Sequence, residues 1–326
     1  MRKGRDAVSR TTAIALGGAL LLVVLAATLA GRERGGGVPQ LEAEPVVHLV
    51  DKEAGTTRQL SMEEYLAGVV AGEMGRLPTV DGEAQDWPQA AYEAQTILAR
   101  SFALSFLTRE GPVIISTDVE EAQAYAPENV TPAIRRAVEA TRGVVMAHQG
   151  GFVKAWFHSY SGGHTATAAE GLNYTKGEPG FIRARAVPEN EYVPDDLRSW
   201  TASIPLATVS TALEARGINV GQVRSVAVGE WGPSGRATRI DITGTAGTQS
   251  IHAADFRVAV GSEQMKSTKL ERLEVRGDQL VMSGTGFGHG VGLSQWDAYK
   301  LAREGRSAEE ILHFFFRDIT IGRAWQ

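Results

Sequence analysis

The chain has no cysteine among its 326 residues, which excludes disulfide bonds, thiolate zinc sites and a cysteine nucleophile. It also has no run of lysine and arginine beyond the N-terminus. Of its 33 basic and 38 acidic side chains, six and four lie in the first 44 residues, which leaves a net charge of −7 for the rest. Because a phosphate backbone requires a basic face, this composition argues against nucleic acid as a partner.

One long apolar run stands out, from Ala13 to Ala30, behind a basic N-terminus. It is short for a membrane-spanning helix of about 20 residues but longer than the core of most signal peptides, so an uncleaved anchor is favoured over a removed signal. The basic flank predicts a cytoplasmic N-terminus and a single-pass protein of the cell membrane. We therefore divide the chain into a basic cytoplasmic tail (1–12), a transmembrane anchor (13–30), a flexible linker (31–44) and an extracytoplasmic domain (45–322).

The extracytoplasmic part is predicted to be α+β. Helical patterns and hairpin strands follow one another without the regular alternation of a doubly wound sheet. Helices are expected to end near Glu73 and to run from Pro88 to Leu107. A hairpin is expected from strands at Val144–Ala147 and Phe152–Phe157.

Glu73 ends the apolar run 66–72 at the close of a predicted helix. Glu73 shares one helical face with the apolar residues Met62, Leu66 and Val69. Ser61 and Glu64 have the spacing of a capping box, which predicts the start of the helix. A carboxyl group that ends a buried stripe tends to stay protonated, as a general acid must near neutral pH. The alternative is a helix-terminal glutamate in solvent.

A second candidate site is the segment His158–Thr165, where a strand meets a Gly-Gly turn. Exposed amides and hydroxyls there could surround a polar ligand. The alternative is an ordinary connecting loop. His158 and His164 could also bind a metal with Glu170 as a third ligand, but their spacing does not match that of zinc hydrolases.

A third candidate is the glycine-rich segment Gly284–Gln295. It lacks the lysine of a phosphate loop and the central serine of a nucleophile elbow. A binding loop and a simple turn into a helix starting at Leu293 both remain open.

Four motifs together resemble the SpoIID/LytB family, in order and spacing, from about Val46 to Gly322. They are Glu64–Met74, Ala94-Gln95 with Ala99-Arg100-Ser101, His158–Thr165 and Gly286–Gln295. The resemblance implies a SpoIID-type fold, expected as a single elongated domain. It also implies a peptidoglycan lytic transglycosylase that cuts glycan strands already freed of stem peptides, in the engulfment step of sporulation.

In this family the glutamate that matches Glu73 is the acid/base, and the other motifs line a glycan cleft. Gln123 and Tyr125 fall in a segment that reads Cys-Gln-x-Tyr in many relatives. The residues expected to hold sugar hydroxyl and acetamido groups are Arg100, Gln123, Tyr125, His158, Ser161, His164, Thr165, His289, Ser294 and Gln295. The implied partners are peptidoglycan glycan strands, a cell-wall amidase and a membrane scaffold of the engulfment machinery.

The chain departs from part of the family at Ala122 and Ser161, where some relatives carry cysteine. Some members hold a structural zinc with Cys and His ligands. Because this chain lacks those cysteines, zinc is doubtful here, and we predict no metal and no other cofactor. Two other functions remain open. One is a non-catalytic glycan-binding enhancer of a cell-wall amidase, as described for LytB-type members, and the other is a structural anchor in a membrane complex.

Overall fold

The computed structural model of the chain describes residues 36–77, 84–107, 112–118 and 122–326. The predicted tail and transmembrane anchor, residues 1–30, lie outside the described residues and stay predictions. Within the described ranges, no helix combines the length and the apolar character needed to cross a membrane.

The described residues form short helices interspersed with strands of small sheets, so the α+β prediction is confirmed for this part of the chain. The helices are α1 (Met62–Glu73), α2 (Gln89–Leu104), α3 (Pro132–Ala140), α4 (Ala168–Leu172), α5 (Asp195–Arg198), α6 (Leu206–Glu214), α7 (Ala253–Val260), α8 (Gln295–Arg303) and α9 (Ala308–Phe315), with a 3-10 turn at Pro127–Asn129.

The strands pair in five small sheets. They are β1 (Val46–Asp51), β2 (Thr56–Ser61), β3 (Val113–Ser116), β4 (Val144–His148), β5 (Gly151–Phe152), β6 (Phe157–His158), β7 (Trp200–Pro205), β8 (Val223–Trp231), β9 (Ala237–Gly244), β10 (Gly247–His252), β11 (Leu270–Arg276), β12 (Gln279–Gly284), β13 (Leu293–Ser294) and β14 (Thr320–Arg323). The sheet orders are β2-β1-β3, β14-β4-β5, β6-β13, β10-β9-β8 and β11-β12-β7. The pairs β1/β3 and β6/β13 are parallel.

Helix α1 lies in the middle of the first apolar core. Its start is fixed as predicted, because the Ser61 hydroxyl accepts a hydrogen bond of 3.2 Å from the Glu64 amide. The predicted stripe is buried, but so are Tyr65 and Val70, which lie at other angles of the helix. A helix that is apolar on all sides is a core helix, and α1 accordingly packs against α2 and α3.

The described residues form two further large cores and one small cluster of Tyr160, Val193 and Leu197. One is formed mainly by α8, α9 and the segments around β4 and β13. The other is built entirely from residues 200–282, which supply the strands β7 to β12 and the helices α6 and α7. The region 200–282 therefore has an apolar core of its own.

The folded part begins earlier and ends later than the predicted bounds of 45 and 322. The Leu41 amide donates to the Ala324 carbonyl at 2.7 Å, and the Gln40 side chain donates to the Arg323 carbonyl at 2.8 Å. Trp325 is buried, with 3% of its surface exposed. Residues from the second half of the predicted flexible linker are thus tied to the C-terminal strand.

The predicted strand over residues 152–157 is wrong. The chain leaves the sheet of β4 after Phe152, and Phe157 pairs instead with Leu293 in the separate β6/β13 ladder. Val153 and Ala155, between them, are buried in the second core without strand pairing. Their apolar character gave the segment its strand-like pattern.

Candidate active site

Glu73 is the last residue of α1, and its carboxyl group is only partly exposed. Its Oε1 accepts a hydrogen bond of 2.6 Å from the Ala124 amide. Burial raises the pKa of Glu73 from 4.5 to about 7, although the bond from Ala124 acts in the opposite direction. The carboxyl group is therefore partly protonated at neutral pH, as a general acid requires.

Two glycines of α1 allow the chain carrying Ala124 to approach this helix. Gly68 and Gly72 are four residues apart and so lie on the same face. A Cβ on Gly68 would come within 2.3 Å of the Tyr125 ring, and one on Gly72 would come within 2.7 Å of the Ala124 backbone. The glycines of the first motif thus make room for the segment that binds the Glu73 carboxylate.

The segment that crosses α1 carries two of the predicted binding residues. Tyr125 is partly exposed and stacks on Tyr65, with ring centroids 5.9 Å apart. It also lines a groove of about 720 Å³ beside the first half of α1, together with Arg58 and Glu64. Gln123, by contrast, is 2% exposed, and neither polar atom of its side chain has a hydrogen-bond partner among the described residues.

The third and fourth motifs, His158–Thr165 and Gly286–Gln295, pack against each other. Their strands β6 and β13 pair in parallel, and further bridges join Tyr160 to Phe287 and Ala166 to Val291. The glycines between them are needed for this approach. Gly288 has a φ of +104°, and a Cβ there would lie 2.7 Å from the His158 Cβ.

The buried carboxylate of Asp297 connects these two motifs through hydrogen bonds. It accepts hydrogen bonds from the hydroxyls of Ser161, at 2.6 Å, and Ser294, at 2.5 Å. The Asn190 amide donates to its other oxygen at 3.1 Å. Burial raises the pKa of Asp297, and these hydrogen bonds act against that rise.

This network changes the role expected for the two serines. Ser161 and Ser294 have no exposed surface, so they hold the loops together and do not face a ligand in this structure. Thr165 is equally buried, and its hydroxyl donates to the Arg183 carbonyl and accepts from the Arg185 amide. These three predictions of sugar contact are corrected accordingly.

His158 and His289 lie side by side, with ring centroids 5.6 Å apart. Burial lowers the pKa of both, that of His289 to about 3, and the neighbouring Arg236 and Arg257 add to the effect. The His158 ring bonds the Val291 carbonyl, and the His289 ring accepts from the Val291 amide. Both imidazoles are therefore neutral and brace the glycine-rich loop.

His164 is the remaining histidine of the third motif, and it is partly exposed. Its ring bonds the Thr165 carbonyl at 2.7 Å, while its own carbonyl accepts from Arg236 at 2.6 Å. Arg236 also donates to the Ser161 carbonyl. This fully buried arginine comes from the turn between β8 and β9, outside every motif, and it fixes the course of the third motif.

Arg100 is placed in the interior and not in a cleft. It has no exposed surface, and its guanidinium donates to both Glu63 carboxylate oxygens and to the Val144 carbonyl. All of these hydrogen-bond acceptors are groups of the protein itself and not of a ligand. The prediction that Arg100 holds a sugar hydroxyl is corrected: it links α2 to α1 and β4.

Gln295 is the residue of the fourth motif that reaches Glu73. Its side chain, 6% exposed, donates to the Glu73 carbonyl at 3.3 Å. The next residue, Trp296, packs on Trp87, whose indole donates to the Met74 carbonyl at 3.2 Å. The first and fourth motifs thus meet at the C-terminal end of α1.

The described residues do not provide the ligands of a metal site. They contain no group of three His, Asp or Glu side chains that could hold an ion. Glu170, considered as a third ligand, instead accepts from the Ser234 amide and hydroxyl. With Ala122 and Ser161 at the cysteine positions of some relatives, this donor set does not fit a Cys/His zinc site.

Three residues of this region were not predicted from the sequence: Asp297, Asn190 and Arg236. A signal existed for Asp297, because Ser294-x-x-Asp297 at the start of a helix has the spacing of a capping motif. Asn190 and Arg236 lie far from the motifs in sequence, and their contacts depend on the fold.

Comparison with known proteins identifies the relationship. The family model described as SpoIID, stage II sporulation protein, matches residues 50–148, which include α1, Glu73 and the Ala124 segment. Residues 50–148 thus carry a SpoIID domain. Residues 185–292, which include the third core, match a domain of unknown function, DUF8618.

The similarity to curated proteins extends over most of the chain. It is 26% identical to an uncharacterized protein of Brachyspira hyodysenteriae, over 81% of this chain and 67% of that one. It is 25% identical to stage II sporulation protein D of Bacillus amyloliquefaciens, over 90% of this chain and 83% of that one. It is 23% identical to the amidase enhancer of Bacillus subtilis, over 78% of this chain and 40% of that one.

Proposed function

We propose that this protein is a peptidoglycan lytic transglycosylase that cleaves glycan strands freed of stem peptides, with Glu73 as its sole acid/base. The observation that carries the proposal is the Glu73 carboxyl group, which lies at a helix end with a pKa raised to about 7 and one backbone donor. Such a group can donate a proton and take one back at the same pH.

The proposed reaction needs only one carboxyl group. Protonated Glu73 donates its proton to the glycosidic oxygen as the bond between that oxygen and C1 breaks. The 6-hydroxyl oxygen of the same sugar then bonds to C1, and its proton passes to the Glu73 carboxylate. The products are a 1,6-anhydro end and a free 4-hydroxyl end. Water is not consumed, so the second carboxylate of ordinary glycosidases is not required.

A cell-wall role in sporulation is supported by the names of the relatives, stage II sporulation protein D and amidase enhancer. We place the catalytic domain outside the membrane, held by the predicted N-terminal anchor. A cell-wall amidase would supply its substrate, because removal of stem peptides must come before cleavage of bare glycan. A scaffold of the engulfment machinery is a further expected partner.

The proposal is tested by measuring cleavage of amidase-treated peptidoglycan sacculi. The proteins are the full-length wild type and the full-length Glu73→Gln variant. Glutamine keeps the size of the side chain and removes the transferable proton. We expect the wild type to release products with 1,6-anhydro ends, seen by mass spectrometry, and the variant to release none although it still unfolds cooperatively as a folded protein. Equal release by both proteins would remove Glu73 from the mechanism.

A second candidate function is favoured by one specific finding, the similarity to the Bacillus subtilis amidase enhancer. A non-catalytic module would bind glycan and stimulate a partner amidase without making new anhydro ends. On untreated sacculi with the amidase added, an enhancer raises the release of stem peptides, and Glu73→Gln leaves that stimulation intact. The nature of the products thus separates the two functions.

A further inference from the structure

An aromatic strip runs along one face of α8 and onto the loop before α5. Trp296 and Tyr299 are three residues apart, and so they share a face of the helix. Their ring centroids are 5.6 Å apart, and Tyr192 continues the row at 5.2 Å from Tyr299. We call these three side chains the aromatic strip.

The inner end of the strip touches the helix end that carries Glu73. Trp296 packs on Trp87 at 5.1 Å, and the Trp87 indole donates to the Met74 carbonyl. Gln295, next to Trp296, donates to the Glu73 carbonyl itself. The strip is therefore continuous with the candidate active site.

The outer end of the strip is open to solvent. Trp296 and Tyr299 are partly exposed, and Tyr192 is 38% exposed. A row of exposed aromatic rings is costly to leave in water and is typical of a binding surface. Aromatic faces present a polarised π-system that suits the C–H groups on the face of a pyranose ring.

The strip is also held in place by hydrogen bonds. Asn190 donates to the Trp296 carbonyl at 2.8 Å and to Asp297 at 3.1 Å. Glu191, beside Tyr192, forms an ion pair with Lys300 at 2.7 Å. A preorganised surface loses little entropy when it binds a ligand.

One cation beside the strip is available to a ligand. The exposed guanidinium of Arg303 lies 6.0 Å from the Tyr192 ring centroid and forms no ion pair within the described ranges. Lys300, at 5.9 Å from the same ring, is already paired with Glu191 and Glu304. The Arg303 guanidinium can therefore donate two hydrogen bonds to a carboxylate in bidentate geometry.

We propose that the aromatic strip and Arg303 form an extended subsite for the glycan strand. Its rings stack on successive sugars, and Arg303 pairs with the lactyl carboxylate of muramic acid. That carboxylate exists only after the stem peptide has been removed, because the attached peptide converts it to a neutral amide. The subsite, which rests on the proposed function, would give the protein its preference for peptide-free strands.

The test measures equilibrium binding by the full chain carrying Glu73→Gln, so that no probe is cleaved. The probes are peptide-free glycan strands, strands with stem peptides, and chitooligosaccharides, which have the same backbone without lactyl groups. We expect Tyr192→Ala to weaken binding of all three about tenfold. Arg303→Gln should weaken binding of peptide-free strands about threefold and leave chitooligosaccharide binding unchanged.

Two matched substitutions in the region 200–282 serve as controls. Trp231→Ala removes an aromatic side chain that is 51% exposed, and Arg224→Gln removes an exposed cation on the same strand. Both should leave every dissociation constant unchanged. Unfolding midpoints verify that each variant is folded, and Arg303→Gln changes only an exposed side chain.

Unchanged binding in Tyr192→Ala would overturn the strip as a subsite. Equal loss of binding to peptide-free strands and to chitooligosaccharides in Arg303→Gln would overturn the carboxylate pairing. Failure of the proposed function gives a different result. It is seen as glycan cleavage that persists in a folded Glu73→Gln variant. The two proposals can therefore fail separately.

Discussion

The Ala124 amide donates a 2.6 Å hydrogen bond to the Glu73 carboxylate across 51 residues of chain. This contact fixes the orientation of the proposed acid with a backbone group, which has no side-chain freedom. It depends on close approach of the Ala124 segment to α1 at Gly72. The position of the acid is therefore set by a glycine one residue before it.

Gly72→Ala is expected to impair both stability and cleavage. Its methyl group would lie 2.7 Å from the Ala124 carbonyl carbon, so that the segment must move and the hydrogen bond to Glu73 is lost. We expect a loss of about 1–3 kcal/mol in unfolding free energy and at least tenfold in cleavage rate. Gly151→Ala is the matched control, because the nearest atom to its Cβ is 3.8 Å away. Equal behaviour of the two variants would contradict this account.

The buried carboxyl group predicts a specific dependence of stability on pH. The pKa of Glu73 is about 7 in the folded chain against an ordinary value of 4.5. The folded state thus holds this proton more tightly, and the resulting stability is present below pH 4.5 and lost as the pH rises to about 7. The full difference is about 3 kcal/mol.

Urea unfolding of the wild type and of Glu73→Gln between pH 4 and pH 8 measures this effect. The wild type should lose stability relative to the variant across that window, since glutamine does not titrate. Parallel curves for the two proteins would show that the carboxyl group is solvated. Cleavage should likewise decline as the pH rises through about 7, because the acid must be protonated to act.

Arg100→Gln is expected to destabilise the fold and leave substrate affinity alone. The substitution leaves Glu63 without the buried guanidinium that it pairs with at 2.5 Å. Breaking such a pair costs about 3–5 kcal/mol in unfolding free energy. The exposed pair of Arg306 and Glu310 provides the control, and Arg306→Gln should cost less than about 1 kcal/mol. A raised KM with unchanged stability would restore the role in sugar binding.

Asp297→Ala is expected to loosen the two glycine-rich motifs together. It removes the shared acceptor of Ser161, Ser294 and Asn190, all of which are buried. Unsatisfied donors of this kind cost about 1–3 kcal/mol each, so the loss should exceed that of Ser161→Ala. Unfolding by urea measures both, and equal losses in the two variants would argue against a shared network.

Local patterns were enough to predict the helix of Glu73. Ser61 caps it, and its apolar residues are buried, because both features depend on neighbours within one or two turns. The strand predicted over 152–157 failed for the opposite reason. Its apolar residues are buried by distant packing, and Phe157 pairs with Leu293, which no local pattern reveals.

In the candidate site, too, the sequence predicted local features and missed those that depend on distant contacts. The motifs marked the segments that meet, but not which side chains face outward. Ser161 was a reasonable ligand for a sugar until the structure showed Asp297 bonded to its hydroxyl. Long-range partners such as Asp297 and Arg236 decide whether a polar residue braces a loop or faces a ligand, and the sequence order does not contain that information.

The most direct test of the central claim is the chemistry of the products that the full chain makes from peptide-free glycan. Mass spectrometry of wild-type digests should show 1,6-anhydro ends, and digests by Glu73→Gln should show none, although the variant still binds the strands. Anhydro ends produced equally by the variant, or no anhydro ends from the wild type, would contradict the assignment of Glu73 as the sole acid/base.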